Sequence, residues 1–176
     1  MSVRIALTGR PGIGKTTAIK KIVEKSKDKV VGFWTEEIRN GNKREGFEIV
    51  RTDGKRELLA SVNIKTPYRV GKYKVNVEGF EKFVVPFLKK ALKSDKILVI
   101  DEIGKMELFS KEFEKLIQTI LESKKSFVIT IPIRDIHPVV KKLKNSPDVI
   151  VLILTEENRN EIPDKVMKLL EEKNGR

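Results

Sequence analysis

The run Gly9-Arg10-Pro11-Gly12-Ile13-Gly14-Lys15-Thr16 carries glycines, a lysine and a hydroxyl at the spacing G-x-x-x-x-G-K-[ST], the pattern of a loop that cradles phosphate groups. Glycines let the backbone curl so that successive N–H groups converge on an anion. A helix opening directly after the loop adds the positive end of its dipole. In that arrangement Lys15 reaches the β- and γ-phosphates of a nucleoside triphosphate, and the Thr16 hydroxyl holds Mg²⁺. Arg10 either touches phosphate or faces solvent.

A second candidate stands far along the chain. Lys96-Ile-Leu-Val-Ile-Asp101 is an apolar run that ends in an acid. After a full phosphate loop, a carboxylate at a buried strand end holds Mg²⁺, usually through water. Asp101 therefore joins Thr16 as a metal residue. Glu102 follows directly. A carboxylate just past the metal can orient and deprotonate an attacking water, which separates hydrolysis from most small-molecule kinase chemistry on this kind of scaffold. The plain alternative for Glu102 is a surface acid paired with a lysine.

Several further residues could touch the reaction. Lys105 could supply positive charge to the transition state, or pair with Glu107. Arg134, and then Arg39 and Arg44, are the other candidates for that task. Thr130 could position water, or be a buried hydroxyl bonded to backbone. Asn158 and Arg159 could touch a base, or Asn158 could cap the last helix. His137 precedes Pro138 and has no partner pattern for a metal.

These residues need elements to hold them. Arg4 to Thr8 is a short apolar strand that feeds the loop. A helix from about Lys15 sets Ala18, Ile19, Ile22 and Val23 on one face. Val30 to Trp34 reads as a second strand. From Glu36 to Val62 the character changes, with turn signals at Asn40-Gly41-Asn42 and Thr52-Asp53-Gly54. Strand-like runs at Gly46 to Arg51 and Glu57 to Ala60 predict an antiparallel meander, and Tyr73 to Val77 could add a strand. Phe80, Phe83, Val84, Phe87, Leu88, Ala91 and Leu92 repeat at helical spacing, with Pro86 expected to kink or delimit that helix. A helix capped by Ser110, a strand from Phe127 to Ile131, a short helix from His137 to Lys144 and a strand from Val149 to Leu154 follow. A last helix opens near Glu156.

Strands alternating with helices predict an α/β fold: a three-layer sandwich with a mostly parallel central sheet. The expected organisation is one phosphate-loop nucleotide-binding domain over residues 1–176, with a meander insertion at about 36–77. Ligands in such folds bind beyond the carboxyl ends of the strands, which here means just after Thr8, Asp101, Thr130 and Leu154.

Composition narrows the class. The 176 residues contain no cysteine, which excludes disulfides and cysteine-ligated zinc and suits a reducing cytoplasm. The longest apolar runs fall well short of the about 18 residues of a membrane span. The formal net charge is +12, but lysines such as Lys20, Lys21 and Lys25 fall on one helix side, as solvated faces do. Nucleic acid is therefore not the expected partner, and the protein is expected to be a monomer. Lys and Glu are abundant while Gln118 is the only glutamine, a thermophile's composition.

Asp101-Glu-Ile-Gly-Lys-Met-Glu-Leu108 resembles the signature of the thermostable nucleoside-triphosphatase family. Gly32-Phe-Trp-Thr-Glu-Glu-Ile-Arg39 with Arg44-Glu-Gly-Phe47, Tyr68-Arg-Val-Gly71, and Thr155-Glu-Glu-Asn-Arg-Asn160 are similar to further blocks of that family, in order along nearly the whole chain. Trp34 stands where relatives often carry another aromatic. The resemblance implies Mg²⁺-dependent hydrolysis of ATP, GTP, CTP and UTP to diphosphate and phosphate. It also assigns nucleotide binding to Gly9 through Thr16 with Thr17, and to Asp101, Glu102, Ile103 and Gly104. Gly104 would let backbone approach the phosphates closely. A nucleotide or metabolite kinase, with its acceptor beneath the Glu36–Val62 segment, is the competing reading. A nucleic-acid-linked ATPase is a further one.

Overall fold

The computed structural model describes residues 2–174. In chain order the elements are β1 (Arg4–Thr8), α1 (Lys15–Ser26), β2 (Val30–Asn40), β3 (Lys43–Arg51), β4 (Arg56–Ser61), β5 (Arg69–Val70), β6 (Tyr73–Val75) and α2 (Val77–Ala91). There follow β7 (Ile97–Ile100), α3 (Lys111–Glu122), β8 (Phe127–Thr130), α4 (Pro138–Asn145), β9 (Ile150–Ile153) and α5 (Ile162–Asn174).

The nine strands among the described residues form one sheet in the order β5-β6-β4-β3-β2-β7-β8-β1-β9. β1, β7 and β8 are buried at every position, as strands covered on both faces must be. Side chains alternate between the faces. Ile97 and Val99 join Ile5 and Leu7 in a core under α1 and α5. Leu98 and Ile100 join Ala6 and Ile129 in a larger core under α2, α3 and α4. Phe33, Phe80 and Phe113 pack edge to face in that second core, which ties β2 to α2 and α3.

The sheet is mixed rather than mostly parallel. β2, β7, β8, β1 and β9 pair in parallel, while β2 through β6 pair antiparallel. The change happens within β2. Val30–Phe33 pair with β7, and the strand then runs on to Asn40 against β3. It therefore extends well past Trp34. The run Thr35-Glu36-Glu37 and the polar Arg39 and Asn40 hid the extension, because that stretch is largely solvated.

Three other boundaries differ from expectation. The strand from Tyr73 stops at Val75 because the Asn76 side chain accepts from Gly79 N and caps α2. Pro86 lies inside α2 without ending it. A proline costs a helix about 3 kcal/mol, and burial of Phe80, Val84, Val85, Leu88 and Ala91 offsets that cost at about 1.5 kcal/mol or more for each large side chain. α5 begins at Ile162, not near Glu156. The intervening residues form turns, with Asn158 Oδ1 accepting from Thr155 N at 2.7 Å and Asn158 Nδ2 donating to Ile153 O at 2.9 Å. Asn158 thus ties its loop to the end of β9.

Register lines up the strand ends. Leu7 faces Thr130, Ile100 faces Ile129, and Phe33 faces Ile100. The segments after β1, β7 and β8 and the middle of β2 thereby meet at one edge. No helix among the described residues is long and apolar enough to cross a membrane.

Candidate active site

A cleft of about 1000 Å³ opens at that edge. Residues 9–14 join β1 to α1, with φ of +80° at Gly12 and +115° at Gly14. A side chain at either position would be strained, so the loop needs glycine there. Gly9, Pro11, Gly12, Gly14, Lys15, Thr16 and Thr17 line the cleft. The Ile13 side chain turns away into the core beneath the loop.

Lys15 Nζ donates to Gly9 O at 3.1 Å and to Glu102 Oε2 at 3.3 Å. The Lys15 side chain is 13% exposed and that of Glu102 34%, so the ammonium is shielded while the carboxylate reaches the open cleft. Next to it stands Asp101, only 2% exposed. Thr16 Oγ1 donates to Asp101 Oδ2 at 2.9 Å, Thr35 N to the same oxygen at 3.2 Å, and Thr130 Oγ1 to Oδ1 at 2.7 Å. Burial pushes the Asp101 carboxyl up to about 6, against the opposing pull of these hydrogen bonds. The carboxylate is held by dipoles and has no cation within 4.0 Å among the described residues.

That donor set fits a hard divalent cation. Thr16 and Asp101 offer only oxygen, and Mg²⁺ prefers one or two protein oxygens with substrate phosphates and water. No cluster of three or more acidic, histidine or cysteine ligands exists among the described residues, so a closed protein cage is not the design. A cation at Asp101 would also relieve the cost of a buried charge.

Other expected site residues are redistributed. Ile103 is fully buried, and its N–H donates to Thr130 O at 3.0 Å, so its side chain belongs to the core rather than to a ligand. Gly104 sits against two carboxyls. A Cβ there would meet Glu102 Oε1 at 2.9 Å and Glu107 Oε1 at 3.2 Å, so the glycine makes room for two carboxyls. Glu107 is 4% exposed and accepts from Gly104 N. Burial first, then the neighbouring Glu102 and Asp101, hold its carboxyl well above the ordinary range. Thr130 is a buried hydroxyl, but its partner is the Asp101 carboxylate and not backbone.

The cations also sort themselves. Lys105 and Arg134 line the cleft and are exposed, and Lys105 makes no ion pair with Glu107. Arg44 lines it as well, bound to Glu37 and to the Tyr73 hydroxyl. Arg39 pairs with Glu37 outside the cleft. Arg10 is 62% exposed on its side chain and pairs with Glu156. Arg159 donates to Ile13 O at 3.4 Å, bracing the loop. His137 Nδ1 accepts from Val139 N at the start of α4.

Sequence reasoning gave Thr35 and Glu107 no part in the site. Thr35 approaches Asp101 because β2 and β7 are neighbours, and it also donates its hydroxyl to Asp101 O at 2.7 Å. Both residues lie inside family-like blocks, which was the available signal.

Fold and site together define an α/β protein with a phosphate-loop sequence and a buried strand-end acid facing one cleft. The chain belongs to the NTPase family, whose model matches residues 4–167. It is 44% identical over 177 residues to the nucleoside-triphosphatase THEP1 of Aquifex aeolicus, covering 96% of this chain and 99% of that one. It is 40% identical over 182 residues to the cancer-related nucleoside-triphosphatase of Homo sapiens, covering 94% and 96%. The crystal structure of THEP1 from Aquifex aeolicus matches with a TM-score of 0.90 at 43% identity, over 96% of this chain and 99% of that chain. The family resemblance carried by the Asp101–Leu108 block is thus borne out, and the protein is a hydrolase of that family.

Proposed function

We propose that the protein is a phosphate-loop nucleoside-triphosphatase that hydrolyses ATP, GTP, CTP and UTP to diphosphate and phosphate with Mg²⁺. The observation that carries this reading is the buried Asp101 carboxylate, shared by Thr16, Thr35 and Thr130, directly beside the Lys15–Glu102 pair. The names of the relatives support nucleoside triphosphates as the substrate class.

The backbone N–H groups of the Gly9–Thr16 loop bind the phosphates, and Lys15 reaches the β- and γ-phosphates. Thr16 and Asp101 would hold Mg²⁺, which would supply positive charge to the phosphate oxygens. A triphosphate competes with Glu102 for the Lys15 ammonium and so frees the carboxylate. Glu102 then orients a water and takes its proton as the water oxygen bonds to the γ-phosphorus. The bond from the γ-phosphorus to the bridging oxygen breaks, and the diphosphate leaves. Lys105 and Arg134, exposed on the cleft wall without acidic partners, supply charge to the transition state. Few directional groups surround the seat of the base, where Asn158 is engaged within its own loop, which agrees with tolerance of several bases.

Phosphate release from a panel of nucleoside triphosphates, with and without a chelator, tests the proposal. Glu102→Gln is expected to lower turnover by about 100-fold or more, as loss of a general base does. Nucleotide affinity should stay near that of the wild type. Unchanged turnover in Glu102→Gln would remove Glu102 from the role of base.

A further inference from the structure

The cleft extends past what a triphosphate needs. The phosphate loop lies at one end, against the turn after β9, through Arg159 to Ile13 and Arg10 to Glu156. On the function proposed above, sugar and base lie on that β9 side and the terminal phosphate points to Asp101 and Glu102. Beyond these acids the cleft continues under β3–β5 with a different lining. Phe47, Leu59, Val70, Met106 and Ile136 make an apolar wall.

Val70, Lys105 and Ile136 also border a second hollow of about 480 Å³, floored by Leu108 and Phe109. The two hollows share these three residues and so adjoin, and no phosphate-loop residue lines the second. At the outer lip the Tyr68 ring packs on Phe109 at 5.2 Å and is 41% exposed.

The charges around this groove are unbalanced. Arginines elsewhere on the antiparallel half have acidic partners: Arg44 with Glu37, Arg51 with Asp53, and Arg56 with Glu36 and Glu48. Around the groove, Arg69, Lys105 and Arg134 have no carboxylate within 4.0 Å among the described residues. Unpaired cations above an apolar wall favour a ligand that brings both an anion and a hydrophobic body.

We propose that this groove is a second ligand site, which takes a small anion with a planar apolar body while a nucleotide occupies the phosphate loop. The apolar wall buries the body, the exposed Tyr68 ring and the half-buried Phe109 ring border its outer end, and Arg69 faces the charge, with Lys105 at the junction with the nucleotide cleft.

Anilinonaphthalene sulfonate, which has this chemistry, is the probe, with uncharged phenylnaphthylamine as its comparison. Fluorescence titration of the intact chain, saturated with a non-hydrolysable ATP analogue, is expected to show about one bound equivalent of the sulfonate. The uncharged probe should bind about tenfold more weakly. Arg69→Glu and Tyr68→Glu should each weaken the sulfonate about tenfold, the effect of losing about 1.4 kcal/mol, without changing phosphate release from nucleoside triphosphate. Displacement of the probe by the nucleotide analogue would overturn the proposal, because the groove would then seat part of the nucleotide. Indifference of binding to both variants would overturn it as well. The displacement result does not depend on how the variants fold. A separate nucleotide titration keeps the two readings apart, since missing nucleotide affinity counts against the phosphate-loop reading and displaced probe counts against the groove.

Discussion

The two halves of the sheet hold their polar residues by opposite means. In the parallel half, Asp101 is buried and its partners are three uncharged donors, Thr16, Thr35 and Thr130. In the antiparallel half, charge meets charge at the surface. Glu36 binds Trp34, Arg56 and Lys20, and Glu37 binds Arg39 and Arg44. Dipoles orient a carboxylate without cancelling its charge, so the charge stays available to a cation. Ion pairs cancel it, and at a surface they contribute little to stability. The parallel half is therefore organised for chemistry at a cost in stability, whereas the antiparallel half is a wall.

Asp101→Asn tests that contrast most severely. Asparagine matches aspartate in shape and can still accept from Thr16 and Thr35, so the fold should hold. Loss of the metal-binding charge is expected to lower turnover by about 1000-fold, several kcal/mol of transition-state stabilisation. Stability should move the other way. The Asp101 carboxyl is pushed up to about 6 from its ordinary 3.8. Wild type should therefore lose stability as pH rises from about 4 to about 6 and stay level above that, because the unfolded chain gives up this proton first. The variant has no such group and should melt higher than wild type at pH 7. An Asn variant that melts lower there would mean that the buried charge is stabilised by something other than the three donors.

The same contrast explains what the sequence could disclose. Gly9–Thr16 and Asp101–Glu102 are contiguous motifs next to buried strands, and a local pattern is enough to recognise them. Thr35 and Thr130 reach Asp101 only because β2 and β8 flank β7, and a pairing between distant strands leaves no local trace. Ile103, assigned to nucleotide binding from the acidic segment, has its side chain in the core and its N–H on Thr130 O of the distant strand β8. Gly104 was recognisable as a constrained position. A Cβ there would meet the Glu102 and Glu107 carboxyls, and the sequence offered Glu107 only as an ion-pair partner for Lys105. Pro86 does not delimit its helix, because local propensity is outweighed by five buried side chains.

Thr35→Val sharpens the comparison at the seam, where β2 passes from one half to the other. The substitution removes the hydroxyl that donates to Asp101 O while leaving Thr35 N on Oδ2. Loss of one such hydrogen bond costs about 1 kcal/mol, so turnover should fall by about fivefold and the Mg²⁺ concentration for half activity should rise. Placing the same Val in the wall should do nothing of the kind. An unchanged Mg²⁺ requirement in Thr35→Val would show that the seam does not position the acid.

The smallest effect belongs to the wall. The Trp34 indole N–H first, then Arg56 and Lys20, hold the Glu36 carboxyl down at about 2. A depressed acid contributes stability above its unfolded value of 4.5, and the contribution disappears as pH falls through about 2. Glu36→Gln should therefore melt lower than wild type near pH 7, and the two curves should meet by pH 2. Surface pairs of this kind are screened by water and salt, so the gap should not exceed about 3 °C for a chain of this size, and added salt should narrow it. Phosphate release should stay within about twofold of wild type, since Glu36 neutralises neighbours and leaves Asp101 untouched. A loss of turnover comparable to that of Thr35→Val, with the melting curves superimposed, would move Glu36 from the wall into the site and end the division drawn between the two halves.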